Sequence, residues 1–317
     1  MTAAIHAAPA NVKRYQLSRI FMILGLGTIV VSILLATRKV EPFYTWFFNF
    51  AWWGFILFID GWVYRHRQES LILSFPGRFL FLCGWSVVFW GVFEAFNIRL
   101  QNWVYWDLPD LTGLRWLGYC LAFATVVPGI LETADLIDTA GVVKTGRIKP
   151  LGWKKRVGPY MMAAGFAMLA LPLLWPRWFF PLVWGGLVFL LDPINERLGN
   201  PSFVSDWREG RLRRLYILLL AGLFCGGLWE WWNAMAHAHW TYSIPVVGRP
   251  RIFEMPALGF LGFAPFAAEA YAATSLATCF WEKSSKPVRG LMIAAAVFFC
   301  IAMCWTMDRF TVRSFQS

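Results

Sequence analysis

The chain has 317 residues, of which 58% are hydrophobic, 18% aromatic and only 15% charged, with a mean hydropathy of +0.53. This excludes an ordinary soluble domain, and apolar stretches able to cross a hydrocarbon core of ~30 Å recur so closely that a large soluble domain has no room. The net charge of +11 does not point to nucleic acid, because the Lys and Arg residues are divided among many short loops.

The sequence predicts an all-α integral membrane protein with about nine transmembrane helices. In chain order they fall at 17–36, 43–64, 77–97, 114–137, 158–175, 178–195, 214–235, 253–280 and 288–306. A cytoplasmic segment at 1–16 precedes the first span. That span follows Lys13 and Arg14, yet it is too long for a signal-peptide core and "SILLATRKV" lacks an A-x-A cleavage site, so it is expected to stay as a helix. Alternate loops carry 20 and 9 of the 29 basic residues. The positive-inside rule then places the N-terminus in the cytoplasm and the C-terminus outside, in a bacterial inner membrane. The basic linker at 139–157, with "KTGRIKPLGWKKRVG", is expected to lie against anionic lipid. All six cysteines fall within spans, without a C-x-x-C pair, and read as small hydrophobes.

The chain contains itself twice. At a constant offset of 132 (46 to 178), Trp46, Phe47, Phe48, Trp52, Gly54, Asp60, Arg65 and Ser70 fall on Trp178, Phe179, Phe180, Trp184, Gly186, Asp192, Arg197 and Ser202. At 136, Arg78, Gly91, Glu94 and Asn97 fall on Arg214, Gly227, Glu230 and Asn233, so "FEAFN" and "WEWWN" are one element. At 137, Trp103, Tyr105, Phe123, Pro128 and Glu132 fall on Trp240, Tyr242, Phe260, Pro265 and Glu269. Asp, Arg, Glu and Asn are rare in lipid, and their coincidence in order and spacing implies duplication. Each unit has an even number of helices, so the reading is two parallel four-helix repeats, 17–138 and 158–282, plus an extra helix and tail at 283–317.

The duplicated polar residues are the candidate site. Sixteen residues separate Arg78 from Glu94, about 24 Å of helix, so the arginine belongs to one interface and the acid to the other. Glu94 with Asn97, and Glu230 with Asn233, lie at i, i+3 on one helix face. They are candidate catalytic groups if they face an internal cavity, and helix-end packing groups otherwise. Trp103, Tyr105, Trp240 and Tyr242 in the following loops suit an interfacial aromatic belt. At the cytoplasmic end, Asp60, Arg65, Ser70, Arg78 and Glu132, and their mates Asp192, Arg197, Ser202, Arg214 and Glu269, read as a network locking helices together or as a pocket for an anionic headgroup. Glu254, which has no first-copy mate, opens the eighth span, where Pro256 and Pro265 predict a kink. Glu230, Asn233 and His237 share a face, but a third firm ligand is missing, so no metal is expected. There is no P-loop, G-x-S-x-G, H-E-x-x-H or dinucleotide fingerprint, and the cofactor is left unassigned.

The pairing of "LWEWWNAMAHAHWTYSIP" with "IFEMPALGFLGFAPFAAEAYA" resembles a set of Trp-rich polytopic bacterial membrane proteins, a likeness that implies the multi-pass fold and brings no mechanism. The chain is also faintly similar to the membrane lycopene cyclase domain, a repeated helical unit with Trp-x-Tyr ahead of a proline and a carboxylate. That family's Pro-x-Glu-Glu pair is replaced here by single acids four residues after Pro128 and Pro265.

Three functions fit this pattern. One is a protein that binds or acts on a hydrophobic ligand (isoprenoid, lipid or quinone), with buried Glu94 or Glu230 as acid among Trp faces. Another is a non-catalytic subunit or assembly factor with a membrane-complex partner. The third is a proton or solute transporter along the repeat axis. The lipid bilayer is the expected environment in all three.

Overall fold

The computed structural model describes residues 12–150, 152, 157–244 and 248–314. Residues 151 and 153–156 of the basic linker and most of the segment at 1–16 lie outside them. The elements in chain order are α1 (Val12–Thr37), α2 (Phe47–Arg67), α3 (Leu71–Ser74), α4 (Pro76–Leu100), β1 (Trp103–Trp106), α5 (Thr112–Phe123), α6 (Val126–Thr139), α7 (Val157–Leu174), α8 (Pro176–Phe179), α9 (Val183–Arg197), α10 (Phe203–Arg208), α11 (Arg213–Met235), β2 (His239–Tyr242), β3 (Arg251–Ile252), β4 (Met255–Pro256), α12 (Phe263–Lys283) and α13 (Lys286–Phe310). The architecture is all-α, with two very short antiparallel strand pairs. Among the described residues, seven helical segments are long and apolar enough to cross a membrane, with α5–α6 and α8–α9 each counting as one. The 21-residue helices α2 and α12 fall outside that set.

Three expected spans differ in detail. The fourth breaks at Ala124–Thr125, because Pro128 has no N–H to offer the turn before it. Ser86 of α4 fills the gap: its hydroxyl donates to the Phe123 carbonyl and accepts from the Val127 N–H at 2.9 Å. The sixth span is interrupted by a 3-10 turn at Phe180–Leu182 and by Trp184, whose φ of −83° and ψ of 21° leave the helical region. The eighth begins late. Glu254 sits at the turn between β3 and β4 rather than opening a helix, a 3-10 turn covers Ala257–Gly262, and Pro265 falls in the first turn of α12, where a missing N–H costs nothing and no kink results.

Small residues set the helix pairs. A Cβ at Gly25 of α1 would meet the Gly54 carbonyl of α2, and a Cβ at Gly165 of α7 would meet the Gly186 carbonyl of α9. Helices approach this closely only where no side chain stands between them. The core between these pairs is aromatic. Trp52 of α2 packs on Trp229 of α11 (5.4 Å between centroids), and Trp184 of α9 stacks on Phe93 of α4 (5.3 Å, 10°). Each such pair adds about 0.5–1.5 kcal/mol beyond its buried area.

Candidate functional site

The segments that follow α4 and α11, expected as loops, pair with each other as strands. β1 and β2 run antiparallel, with Trp103 opposite Tyr242 and Tyr105 opposite Trp240. Asn97 and Asn233 hold these strands to their helices. Asn97 Oδ1 accepts from the Asn102 and Trp103 N–H groups (2.9 and 3.2 Å) and its Nδ2 donates to the Trp103 carbonyl at 2.8 Å. Asn233 makes the matching pair of bonds with Trp240, both 2.8 Å. Both amides thus fix the backbone of the strand that follows their helix, and Asn97 also stands beside Glu94.

The expectation of an interfacial aromatic belt is corrected here for the first copy, since Trp103 and Tyr105 are buried and point inward. Glu94 Oε1 accepts three donors: Trp90 Nε1 at 2.9 Å, Trp103 Nε1 at 3.0 Å and the Tyr105 hydroxyl at 2.5 Å. Glu230 Oε1 accepts the Tyr242 hydroxyl at 2.6 Å, and Trp240 Nε1 donates at 2.8 Å to that same hydroxyl rather than to the carboxyl. Burial and the neighbouring carboxyl raise both tyrosine phenols well above their ordinary range, so they stay protonated donors. Each Glu thus has Oε1 pinned as an acceptor, and among the described residues its buried Oε2 has no partner. A proton on either carboxyl has one place to sit, Oε2.

The two acids differ in what they face. A cavity of about 520 Å³ lies under the strands, walled by Trp90, Trp103, Trp184, Trp229, Trp240 and Phe266, and Glu230 lines it while Glu94 does not. Leu258 and Leu261 stand on its wall and are 61% and 67% exposed, marking an apolar mouth at the side of the bundle. Trp90, Trp103 and Tyr105, the three donors to Glu94, themselves line the cavity. α13 packs on α4, with Phe299 against Gly91, and the segment after it extends β1: Tyr105 N–H donates to the Thr311 carbonyl and Arg313 N–H to the Tyr105 carbonyl, both 2.8 Å. Asp308 of α13 also gathers Arg115 (2.8 Å), Trp116 Nε1 (2.8 Å) and the Tyr119 hydroxyl (3.0 Å). Sequence reading passed over Asp308, although an acid alone in the last turn of a span was the available signal.

At the other end, the acids of the expected network bond to backbone N–H groups and to Ser70, and not to its arginines. Asp60 accepts from the Ile72 and Leu73 N–H groups (2.6 and 3.3 Å) and the Ser70 hydroxyl (3.0 Å), capping α3. Asp192 caps α10 through the Phe203 and Val204 N–H groups, both 2.8 Å, with Ser202 as the N-cap. Free N–H groups at a helix start are a closer match for a buried carboxylate than a long guanidinium that must itself be desolvated. Arg65 turns away to Tyr15 (2.9 Å), and Arg197 lies over Gly158. Glu132 lies beside Asp60, with the two carboxyls within hydrogen-bonding reach of each other. Glu269 takes the Leu187 N–H at 2.8 Å, which the irregular turn at Trp184 sets free. Glu254 lies 3.7 Å from Arg251. The ion pairs at this end include Arg67 with Asp135 (3.3 Å) and Asp138, Arg213 with Asp138, and Arg211 and Arg214 with Asp206 (3.1 and 3.3 Å), so that of the expected residues only Arg214 takes part. No family model, curated protein or solved structure matches the chain.

Proposed function

We propose that this protein is a nine-span protein of the bacterial inner membrane, built from two parallel four-helix units and a ninth helix, that holds a hydrophobic molecule of the isoprenoid, lipid or quinone class in its aromatic cavity and presents Glu230 to it. The observation that carries the ligand reading is Glu230 Oε2: buried, unpartnered among the described residues, and on the wall of an aromatic cavity of about 520 Å³. Binding cavities for small molecules run from about 300 to 1,000 Å³, mostly apolar with a few polar groups that orient the occupant. The exposed leucines at the mouth suit entry from acyl chains. Glu230 then offers a proton or a hydrogen bond from Oε2, and the Trp faces can stabilise positive charge that develops beside it.

Duplication is supported by contacts that exchange between the copies. Trp52 on Trp229 and Trp184 on Phe93 are the same contact made twice, because 52 maps to 184 and 93 to 229. The register of β1 on β2 is likewise unchanged when the copies are swapped, as an isologous two-fold contact requires. A purely structural role is favoured for the first copy alone, where Glu94 is enclosed by three donors.

The test is solvent extraction and mass spectrometry of the purified chain against Glu230→Gln and Glu94→Gln. Wild type and E94Q are expected to carry an apolar molecule near one per chain, and E230Q markedly less. A wild-type protein free of any such molecule, and unable to take up a quinone or polyprenol from vesicles, overturns the reading.

A further inference from the structure

A second cavity, of about 550 Å³, lies at the opposite ends of α4 and α11 and gathers five guanidiniums: Arg67, Arg78, Arg211, Arg213 and Arg214. The remaining wall includes apolar Leu82, Ile217 and Leu218 and the ring of Tyr271. Three aspartates stand among the arginines, and each is already engaged. Asp135 and Asp138 hold Arg67 and Arg213, while Asp206 holds Arg211 and the Nε of Arg214.

Two guanidiniums are left with donors to spare. Arg214 Nη1 is buried without a hydrogen-bond partner among the described residues, and its guanidinium carbon stands 5.4 Å over the Tyr271 ring, which fixes its position. Arg78 makes no ion pair or side-chain hydrogen bond among the described residues and acts on Asp135 and Tyr271 only through space. These two arginines are the pair that the sequence offset of 136 equates, and the fold brings them to one cavity.

Planar guanidinium forks with open donors match the oxygens of a phosphate group, and a cavity with an apolar side accommodates a phosphate that carries a tail. We propose that this cavity is a phosphate site in which Arg78 and Arg214 grip the oxyanion of a lipid phosphate headgroup or of free phosphate. The site goes beyond the hydrophobic cavity described above and does not depend on it, since no residue is shared between the two walls.

The purified full chain in neutral detergent is titrated at low salt with dioctanoyl phosphatidic acid, with dioctanoylglycerol as the same tails without phosphate, and with inorganic phosphate, reading the thermal midpoint. Saturable stabilisation by phosphatidic acid but not by dioctanoylglycerol is expected. Arg78→Gln and Arg214→Gln should each weaken it roughly tenfold or more, the worth of lost charge-assisted hydrogen bonds, and Arg309→Gln, at the far end of α13, should not. Inorganic phosphate that saturates the same shift identifies free phosphate as the occupant, and a shift confined to phosphatidic acid identifies the headgroup. Equal shifts with the two dioctanoyl lipids and none with phosphate overturn the proposal, as does R78Q binding like wild type. Arg78 has no bonded partner to orphan, so R78Q is informative even if R214Q unfolds. Uptake of an apolar ligand by the Glu230 cavity is unaffected by R78Q under either outcome.

Discussion

The Tyr242 hydroxyl lies 2.6 Å from Glu230 Oε1 and is the only donor that carboxyl receives among the described residues. The first-copy mate, Tyr105, shares its carboxyl with two tryptophans. Tyr242→Phe therefore strips Glu230 of its one bond, whereas Tyr105→Phe leaves Glu94 two. Y242F is expected to cost about 1–3 kcal/mol, the penalty of orphaning a buried acceptor, and Y105F about half of that. Unfolding midpoints in detergent check the order; the reverse order contradicts the geometry.

Asn97 and Asn233 each close a ring between a helix end and the strand that follows. Replacing either by Asp keeps the acceptor and loses the Nδ2 donor to a backbone carbonyl, for about 1–3 kcal/mol. Replacement by Ala loses both sides and costs more. Because these amides do not touch the cavity occupant, N233A that still folds should retain ligand in proportion to its folded fraction, read by mass spectrometry beside circular dichroism.

Asp60 caps a four-residue helix and Asp192 a six-residue one. Asp60→Asn keeps one acceptor oxygen where the native carboxylate serves three donors, so α3 frays, at about 0.5–2 kcal/mol. Hydrogen exchange should rise first at Ile72 and Leu73, and no change there would count against the cap.

Gly25 faces a carbonyl, so a larger side chain must push α1 off α2. Gly25→Leu should cost about 1–3 kcal/mol by overpacking, while Gly27→Leu, in open space on the same helix, should be tolerated. A cysteine crosslink between α1 and α2 that forms equally in both variants would refute the close approach.

Much of this architecture could be read along the chain. Hydropathy located the helices because lipid leaves the backbone no alternative, and the offsets picked out Asp60, Glu94, Arg78 and their mates as special because ionisable groups survive in apolar spans only when the fold shelters them. What each one touches could not be read. Asp60 was placed in a polar network and its bonds go to Ser70 and to backbone N–H groups, and Trp103 was placed at the membrane interface and bonds Glu94, since side-chain direction beyond a helix end leaves no trace in residue spacing. Arg67, Asp135, Asp138 and Asp206 were overlooked because they stand at helix ends, where charge is ordinary.

By itself, the sequence determined a helical, Trp-rich chain with several helices able to cross a membrane and a few acids set within them, because periodic apolarity and the cost of buried charge act residue by residue. Only the tertiary structure decided that Glu94 and Glu230 differ. Trp90, Trp103 and Tyr105 all donate to Glu94, whereas Glu230 keeps one donor and stands on a cavity wall, because the partners each acid meets are set by packing between segments and not by local spacing.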